Sequence, residues 1–151
     1  MKRKILAVCA FLLLPVCTSC SLFPFSQDDS SLLQEQTSPL AVLEKVEEDA
    51  VAIRVKDVDG EPMLLDVMEY LQEKENFTFV MENGMLTSLN GKANTADFSR
   101  CWMLYTSDAE LANSEWGTYT YEGVTLGSAI VGANMLPVVK DEVYVWYYAS
   151  F

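Results

Sequence analysis

Residues 63–89, MLLDVMEYLQEKENFTFVMENGMLTSL, combine one helix pattern with one hairpin pattern and indicate the fold. Apolar side chains recur there with i, i+3, i+4, i+7 spacing, at Leu64, Val67, Met68 and Leu71. This spacing predicts an amphipathic helix over residues 63–74. Two alternating runs follow at 77–81 and 85–89, and the Asn83-Gly84 pair between them is a strong hairpin signal.

Further strand patterns lie on both sides of this stretch. Apolar and smaller residues alternate over 50–55, which is typical of a half-buried strand. Residues 101–106, 118–121 and 143–148 are rich in the bulky side chains that favour strands. Residues 107–117 and 123–137 have the composition of loops, and the glycines of the second predict a close backbone approach. One helix among five or six strands predicts a compact α+β domain.

Composition and charge narrow the functional classes. The 151 residues include 22 acidic and 10 basic side chains and no histidine, for a formal charge of −12. Nucleic acid is excluded as a partner, because phosphate binding needs clustered Lys and Arg. The absence of histidine excludes Ser-His-Asp and Cys-His catalysis and most zinc sites. We therefore expect a binding or scaffolding protein rather than an enzyme.

The first residues have the layout of a secretory signal peptide. A basic cluster at 2–4 precedes an apolar run over 5–17, which is shorter than the roughly 20 residues that a membrane-spanning helix needs. Thr18 and Ser19 then precede Cys20, and this order resembles the bacterial lipobox, in which the cysteine carries lipid. We expect a lipoprotein signal peptide over 1–19 and lipidation at Cys20. The alternative is an ordinary signal peptide cut nearby without lipid.

Two further segments follow from this interpretation. Residues 20–49 are expected to form a flexible tether, because their polar stretches bury too little apolar surface to offset chain entropy. Within them, residues 41–49 are either part of the tether or a short helix. The folded domain is expected over 50–151. Loss of the signal would leave a charge of 7 − 22 = −15, so acyl chains would hold the protein at the extracytoplasmic face of a bacterial membrane.

Four stretches within the expected domain resemble motifs of the transcobalamin-like C-terminal domain family. Residues 64–68, LLDVM, are similar to the family's LLDxL helix opening, and residues 86–92, LTSLNGK, to its ITSINGK hairpin. Residues 101–105, CWMLY, are similar to its YWMLY strand. Residues 137–148, PVVKDEVYVWYY, are similar to its closing L-x-D-G-D-x-I-x-W-x-Y strand.

The resemblance implies a β-grasp-like, mostly antiparallel sheet with one packed helix. It also implies cobalamin, or another corrinoid, as a possible ligand and cofactor. Two departures from the family pattern matter. Only residues 59–63 are available for the strand that usually precedes the helix, and Asp141-Glu142 replace the usual glycine of the final turn.

Aromatic residues in the second half of the chain are the candidate binding residues. If a ligand site exists, Trp116, Tyr119 and Tyr121 are its expected residues, since aromatic rings form stacking platforms. The alternative is that the aromatic residues form core and cross-strand pairs. Along the last strand, alternation separates Val143, Val145 and Tyr147 from Tyr144, Trp146 and Tyr148, and the valine-bearing face is expected to point towards the helix.

The remaining motifs favour ordinary structural roles. Residues 57–61, DVDGE, have the wrong spacing for an EF-hand and predict a turn, so no metal site is expected. Cys101 would be the one cysteine left in the domain apart from the lipidated one, which predicts an inert buried thiol and no intramolecular disulfide. The expected function is a cell-surface lipoprotein module that binds a small ligand. The alternative is a structural or adhesion module that binds a partner protein by sheet-edge pairing.

Overall fold

The computed structural model describes residues 40–151, and the α+β class is confirmed. The predicted helix is present as α1, residues Leu64–Lys74. Nine strands surround it in these residues: β1 (Ala41–Val46), β2 (Ala50–Val55), β3 (Phe79–Glu82), β4 (Met85–Leu89), β5 (Lys92–Ala93), β6 (Arg100–Thr106), β7 (Ala112–Tyr121), β8 (Val124–Ala129) and β9 (Val143–Ser150).

The strands form two antiparallel sheets. The larger sheet has the order β1-β2-β9-β6-β8-β7, and the smaller one has the order β3-β4-β5. The predicted hairpin is confirmed, because Asn83 (φ 52°) and Gly84 (φ 82°) join β3 to β4 in the left-handed conformation that a two-residue turn requires. The predicted turn at Asn90-Gly91 joins β4 to β5.

The start of α1 is fastened to the segment that precedes β9. The backbone N–H of Met63 donates to Oδ2 of Asp66 (2.7 Å), which satisfies one donor at the helix start. The next two N–H groups donate to the carbonyl oxygens of Leu136 (2.8 Å) and Ala133 (3.0 Å). Because these donors have no partner inside the helix, the loop before β9 takes the place of a capping side chain.

Three elements differ from the predictions. Residues 41–46 form β1 rather than helix or tether, so the folded sheet begins before residue 50 and β2 is an inner strand. Part of each predicted loop is strand, because β7 begins at Ala112 and β8 covers residues 124–129. Strand β7 has the polar composition expected of an outer strand. The small residues of β8 allow its neighbour β7 to approach closely. A Cβ on Gly127 would lie 2.9 Å from Cβ of Ala112, which confirms the predicted close approach.

Two buried clusters lie on opposite faces of the larger sheet. The helix-covered face contacts α1 and the smaller sheet, and its β9 residues are Tyr144, Trp146 and Tyr148. The opposite cluster contains Ala52, Val143 and Val145 with Tyr105, Tyr121 and Leu126. The prediction that the valine-bearing face points towards the helix is therefore wrong. Alternation separated the two sets, but both faces carry large aromatic rings, so composition did not indicate which face the helix covers.

Two turns complete the description. Residues 57–61 form a turn with Gly60 at φ 78°, as predicted. Asp141 adopts φ 68° in the turn before β9, where the resembling family has glycine. Within residues 40–151, no helix has both the length and the apolar character needed to cross a bilayer. The predicted signal peptide, Cys20 and the tether up to residue 39 lie outside the described residues.

Candidate functional site

The predicted binding aromatics occupy one strand but not one pocket. Tyr119 lies between two other tyrosines, with ring centroids 5.0 Å from Tyr147 and 5.9 Å from Tyr105. Tyr121 is buried, and its hydroxyl donates to Oε2 of Glu44 (3.3 Å). Trp116 is 61% exposed and lies in the irregular segment where the β7–β8 register shifts. Ligand binding by these three residues stays a prediction.

The contact between Tyr121 and Glu44 reveals how strongly the larger sheet curves. Glu44 belongs to β1 and Tyr121 to β7, the first and last strands in the sheet order. Arg54 of β2 reaches the same region, where it donates from Nε to Glu44 (2.5 Å) and from Nη2 to Glu122 (3.2 Å). Side chains therefore bridge the opening between the outer strands, and they enclose the cluster around Val145.

The charged side chains at this opening shift the pKa values of their neighbours. Burial alone would raise the pKa of Glu44, but the hydrogen bonds and charges of Arg54 and Lys56 outweigh it and lower that pKa. Burial, followed by the negative charges of Glu44 and Glu122, raises the pKa of Tyr121. A cavity of about 200 Å³ lies beside Arg54, Tyr121 and Glu122. Two of its charged side chains, Arg54 and Glu122, already form an ion pair with each other.

A second groove lies on the other side of the sheet and contains two tryptophans. This indole groove, of about 260 Å³, runs between the β3–β4 turn, strand β6 and the segment after β8. Its residues are all uncharged: Gly84, Met85, Leu86, Trp102, Met103, Leu104, Ser128, Ala129, Ile130, Val131, Gly132 and Trp146. Uncharged side chains, most of them apolar, combined with polar backbone groups are a usual lining of small-molecule sites.

A close backbone contact fixes the segment after β8 against the hairpin turn, on one side of the groove. A Cβ on Gly132 would lie 3.0 Å from the carbonyl oxygen of Gly84, so the segment after β8 passes directly against the hairpin turn. Met85 and Ile130 are half exposed, 51% and 43%, at this rim. Large apolar side chains that remain in contact with water beside a groove indicate a place where apolar surface is still available for burial.

The two tryptophans of the groove differ in their hydrogen bonding. Nε1 of Trp102 donates to the carbonyl oxygen of Lys92 (2.8 Å), and its ring packs 5.2 Å from that of Tyr148. Nε1 of Trp146 is buried and has no hydrogen-bond partner among the described residues. Trp146 is only 4% exposed, so this donor has left water without gaining an acceptor. Such a loss costs roughly 1–3 kcal/mol, and it marks the residue as unusual.

The bonds of Trp102 also attach the smaller sheet to the larger one. The Tyr148 hydroxyl donates to the carbonyl oxygen of Ala93 (2.8 Å), and Oδ1 of Asn94 accepts the backbone N–H of Trp102 (2.9 Å). Together with the Trp102–Lys92 bond, these contacts hold β5 against β6 and β9. The wall of the indole groove on the hairpin side is therefore held in place by hydrogen bonds at its far end.

A third cavity among the described residues is larger and open, and its lining includes charged side chains. It has a volume of about 560 Å³ and lies between the β1–β2 turn and the β4–β5 turn, beside Lys92. Lys92 forms ion pairs with Glu48 (3.4 Å) and Asp49, and its ammonium lies 4.7 Å from the ring centroid of Tyr148. The charge of Lys92 is thus already compensated by Glu48 and Asp49.

Residues 40–151 offer few side chains suited to metal binding or to nucleophilic catalysis. No group of three or more His, Cys, Asp or Glu side chains is placed there to hold a metal ion. Cys101 is a free cysteine, partly rather than fully buried, and burial raises the pKa of its thiol. A raised pKa keeps the thiol protonated at neutral pH and makes it a weak nucleophile.

Comparison with protein families, with curated proteins and with solved structures finds no match for this chain. The candidate site therefore depends on geometry alone. Reasoning from sequence placed Trp146 on one face of the last strand, with Tyr144 and Tyr148, and did not single it out. No pattern in the sequence could have done so, since an unpaired donor depends on which acceptors the fold brings near it.

Proposed function

We propose that this protein is a non-catalytic binding module that takes a small apolar ligand into the indole groove. The observation that carries the proposal is the uncharged groove of about 260 Å³, one of whose lining residues, Trp146, has a buried and unpaired indole Nε1. Binding sites concentrate apolar surface around a few polar groups that orient the ligand. Two other cavities among the described residues contain charged side chains that form ion pairs, Arg54 with Glu122 and Lys92 with Asp49.

Groove-filling variants test this proposal. Ala129 lines the indole groove and is partly buried, so Ala129→Leu places extra volume inside it. Val80→Leu makes a similar change at a half-exposed strand position that does not line the groove. Titration with small neutral aromatic compounds, followed by intrinsic tryptophan fluorescence, is expected to saturate for the wild type and Val80→Leu. Ala129→Leu should bind at least tenfold more weakly, and equal binding by all three proteins would rule the groove out.

A more specific form of this proposal is that the module is a transcobalamin-like domain and that its ligand is a corrinoid. A β-grasp-like arrangement is supported by the single helix packed across one face of an antiparallel sheet. The indole groove is much smaller than a whole corrinoid, so a corrinoid would insert only a peripheral group. Calorimetric titration with cobalamin tests this form. A saturable heat that Ala129→Leu abolishes is expected, and the absence of any heat would remove the corrinoid while leaving other ligands open to test.

Attachment to a membrane is the second part of the proposal. Lipid on Cys20 would hold the module at the extracytoplasmic face of a bacterial membrane, which suits capture of ligands from outside the cell. Cys20→Ser should move the protein from the membrane fraction to the soluble fraction. Cys101→Ser, a matched change within β6, should leave it in the membrane fraction. Retention of Cys20→Ser in the membrane would contradict lipidation at this residue.

A partner protein at the sheet edge is the second candidate function. It is favoured by Trp116, a 61% exposed tryptophan in the irregular segment of the outer strand β7. Tryptophan is enriched among the residues that contribute most to protein interfaces. Pull-down from membrane extracts with Trp116→Ser should lose a partner that Phe98→Ser, at a 51% exposed phenylalanine outside the larger sheet, retains. An unchanged partner list for Trp116→Ser would count against this candidate.

A further inference from the structure

The unpaired indole N–H of Trp146 indicates which class of ligand the groove binds. Trp102 and Trp146 are equally buried, at 5% and 4% exposure, and both line the indole groove. Only the indole of Trp102 has an acceptor, the carbonyl oxygen of Lys92. A ligand in the groove lies against the second indole, and an acceptor atom on it could restore the bond that Trp146 lacks.

The charge around the groove limits what that acceptor can be. None of the side chains that line it is charged, so an ionised carboxylate or phosphate would lose its hydration without meeting a cation. The formal charge of the chain, −12, also repels anions at longer range. A neutral oxygen, as in a ketone, an ester or an amide, accepts a hydrogen bond without either cost.

The size of the groove limits the rest of the ligand. An apolar cavity of about 150 Å³ holds benzene, so the 260 Å³ of the indole groove suit one ring with a short substituent. Nε1 of Trp146 is itself inaccessible in this structure, so neighbouring side chains must move before a ligand reaches it. Met85 is half exposed, and its unbranched side chain has the freedom to move aside.

We infer that the groove selects a compact neutral molecule whose apolar body packs on Trp102 and Trp146 and whose carbonyl oxygen accepts the Nε1–H of Trp146. This inference depends on the proposed function, because it specifies the ligand of the same groove. It adds the chemical class, the orientation of the carbonyl and the exclusion of charged analogues.

Three probes of nearly the same shape test the inference. Acetophenone carries the carbonyl, α-methylstyrene has a methylene group in its place, and benzoate carries a negative charge. In ¹⁵N-labelled protein, acetophenone is expected to move the Trp146 indole proton downfield, with the three indole signals assigned from single Trp→Phe variants. α-Methylstyrene should bind without this shift. Benzoate should bind at least tenfold more weakly than acetophenone at neutral pH.

Measuring one variant with two ligands separates the contribution of the hydrogen bond from that of packing. Trp146→Phe should lower the affinity for acetophenone relative to α-methylstyrene by about tenfold, the ratio that corresponds to ~1.4 kcal/mol. The hydrocarbon probe corrects for any loss of packing in the variant. If both neutral probes bind but this ratio and the indole proton do not change, the inference is overturned while the groove stays a binding site. Binding of benzoate as tight as that of acetophenone also overturns it, and binding of none of the three overturns the proposed function as well.

Discussion

The two faces of the larger sheet use the same strands in opposite ways. The helix-covered face buries Tyr144, Trp146 and Tyr148 under α1 and the smaller sheet. The tyrosine face, which carries Tyr105, Tyr119 and Tyr147, has its rings packed on one another and its outer strands bridged by side chains. Large aromatics on strands therefore do not by themselves indicate a ligand site. What separates the faces is that the helix-covered one has an uncharged groove beside a tryptophan with an unpaired donor, whereas the cavity on the opposite face is lined by charged side chains.

The largest expected effect comes from equal truncations on the two faces. Met68 of α1 is fully buried in the helix-covered cluster, whereas Met103 of β6 is partly buried beside the tyrosine face. Met68→Ala should lower the free energy of unfolding by about 2–5 kcal/mol, because it leaves a cavity in the core. Met103→Ala should cost clearly less. Urea denaturation measures both, and equal losses would mean that the two faces are packed equally tightly.

The next effect compares the two groove tryptophans with each other. Trp102→Phe leaves the carbonyl oxygen of Lys92 without its indole donor, whereas Trp146→Phe removes a donor that has no acceptor. Both residues are almost fully buried, so the loss of ring volume is similar. Trp102→Phe should therefore destabilise the fold by roughly 1–3 kcal/mol more than Trp146→Phe. Urea denaturation tests this, and a larger loss for Trp146→Phe would show that its indole is paired in solution.

High pH tests the helix-covered face through one hydroxyl. Burial, aided by the charges of Glu142 and Asp108, raises the pKa of Tyr144 to about 12, although the N–H of Val139 acts in the opposite direction. A folded pKa above the unfolded value near 10 contributes stability that is complete below pH 10 and is lost as pH rises towards 12. Between pH 9 and pH 11, the wild type should lose about 1.4 kcal/mol more than Tyr144→Phe in urea denaturation. Parallel losses would place this hydroxyl in contact with water.

The smallest expected effect lies at the opening beside the tyrosine face. Arg54 and Lys56 lower the pKa of Glu44 against the effect of burial, so its carboxylate stabilises the fold above its ordinary pKa. Glu44→Gln should cost up to about 1 kcal/mol at pH 7, as expected for a partly exposed ion-pair network. As pH falls through the lowered pKa, the difference between wild type and variant should disappear. Thermal melting at pH 7 and pH 3 measures this, and a constant difference would indicate packing rather than charge.

Sequence patterns identified the regular elements that carry strong local signals. The helix, the hairpin joined by Asn83-Gly84 and the strands at 50–55, 101–106 and 143–148 were all predictable, because apolar spacing and turn residues specify them locally. Strand β1 and the first half of β7 were not. Both are outer strands, whose polar side chains face water and whose pairing depends on a neighbour distant in the sequence.

The site was less predictable than the fold. The candidate residues Trp116, Tyr119 and Tyr121 share a strand. The curvature of the sheet and the shifted register of β7–β8 nevertheless separate Trp116 from Tyr119 and its ring partner Tyr105. Trp102 and Trp146 were recognised only as strand aromatics. Their importance comes from four separate segments that meet around them, and no local pattern records such a meeting.

The sequence by itself determined where this chain forms helix and hairpin, that it carries a strong negative charge and that it lacks histidine chemistry. Its alternation also divided the residues of β9 into two sets. Tertiary structure alone decided which set lies under the helix, because this depends on which face of the sheet packs against α1 and the smaller sheet. It also decided that the outer strands approach each other and that one indole remains unpaired, since curvature and hydrogen-bond geometry depend on segments far apart in the chain.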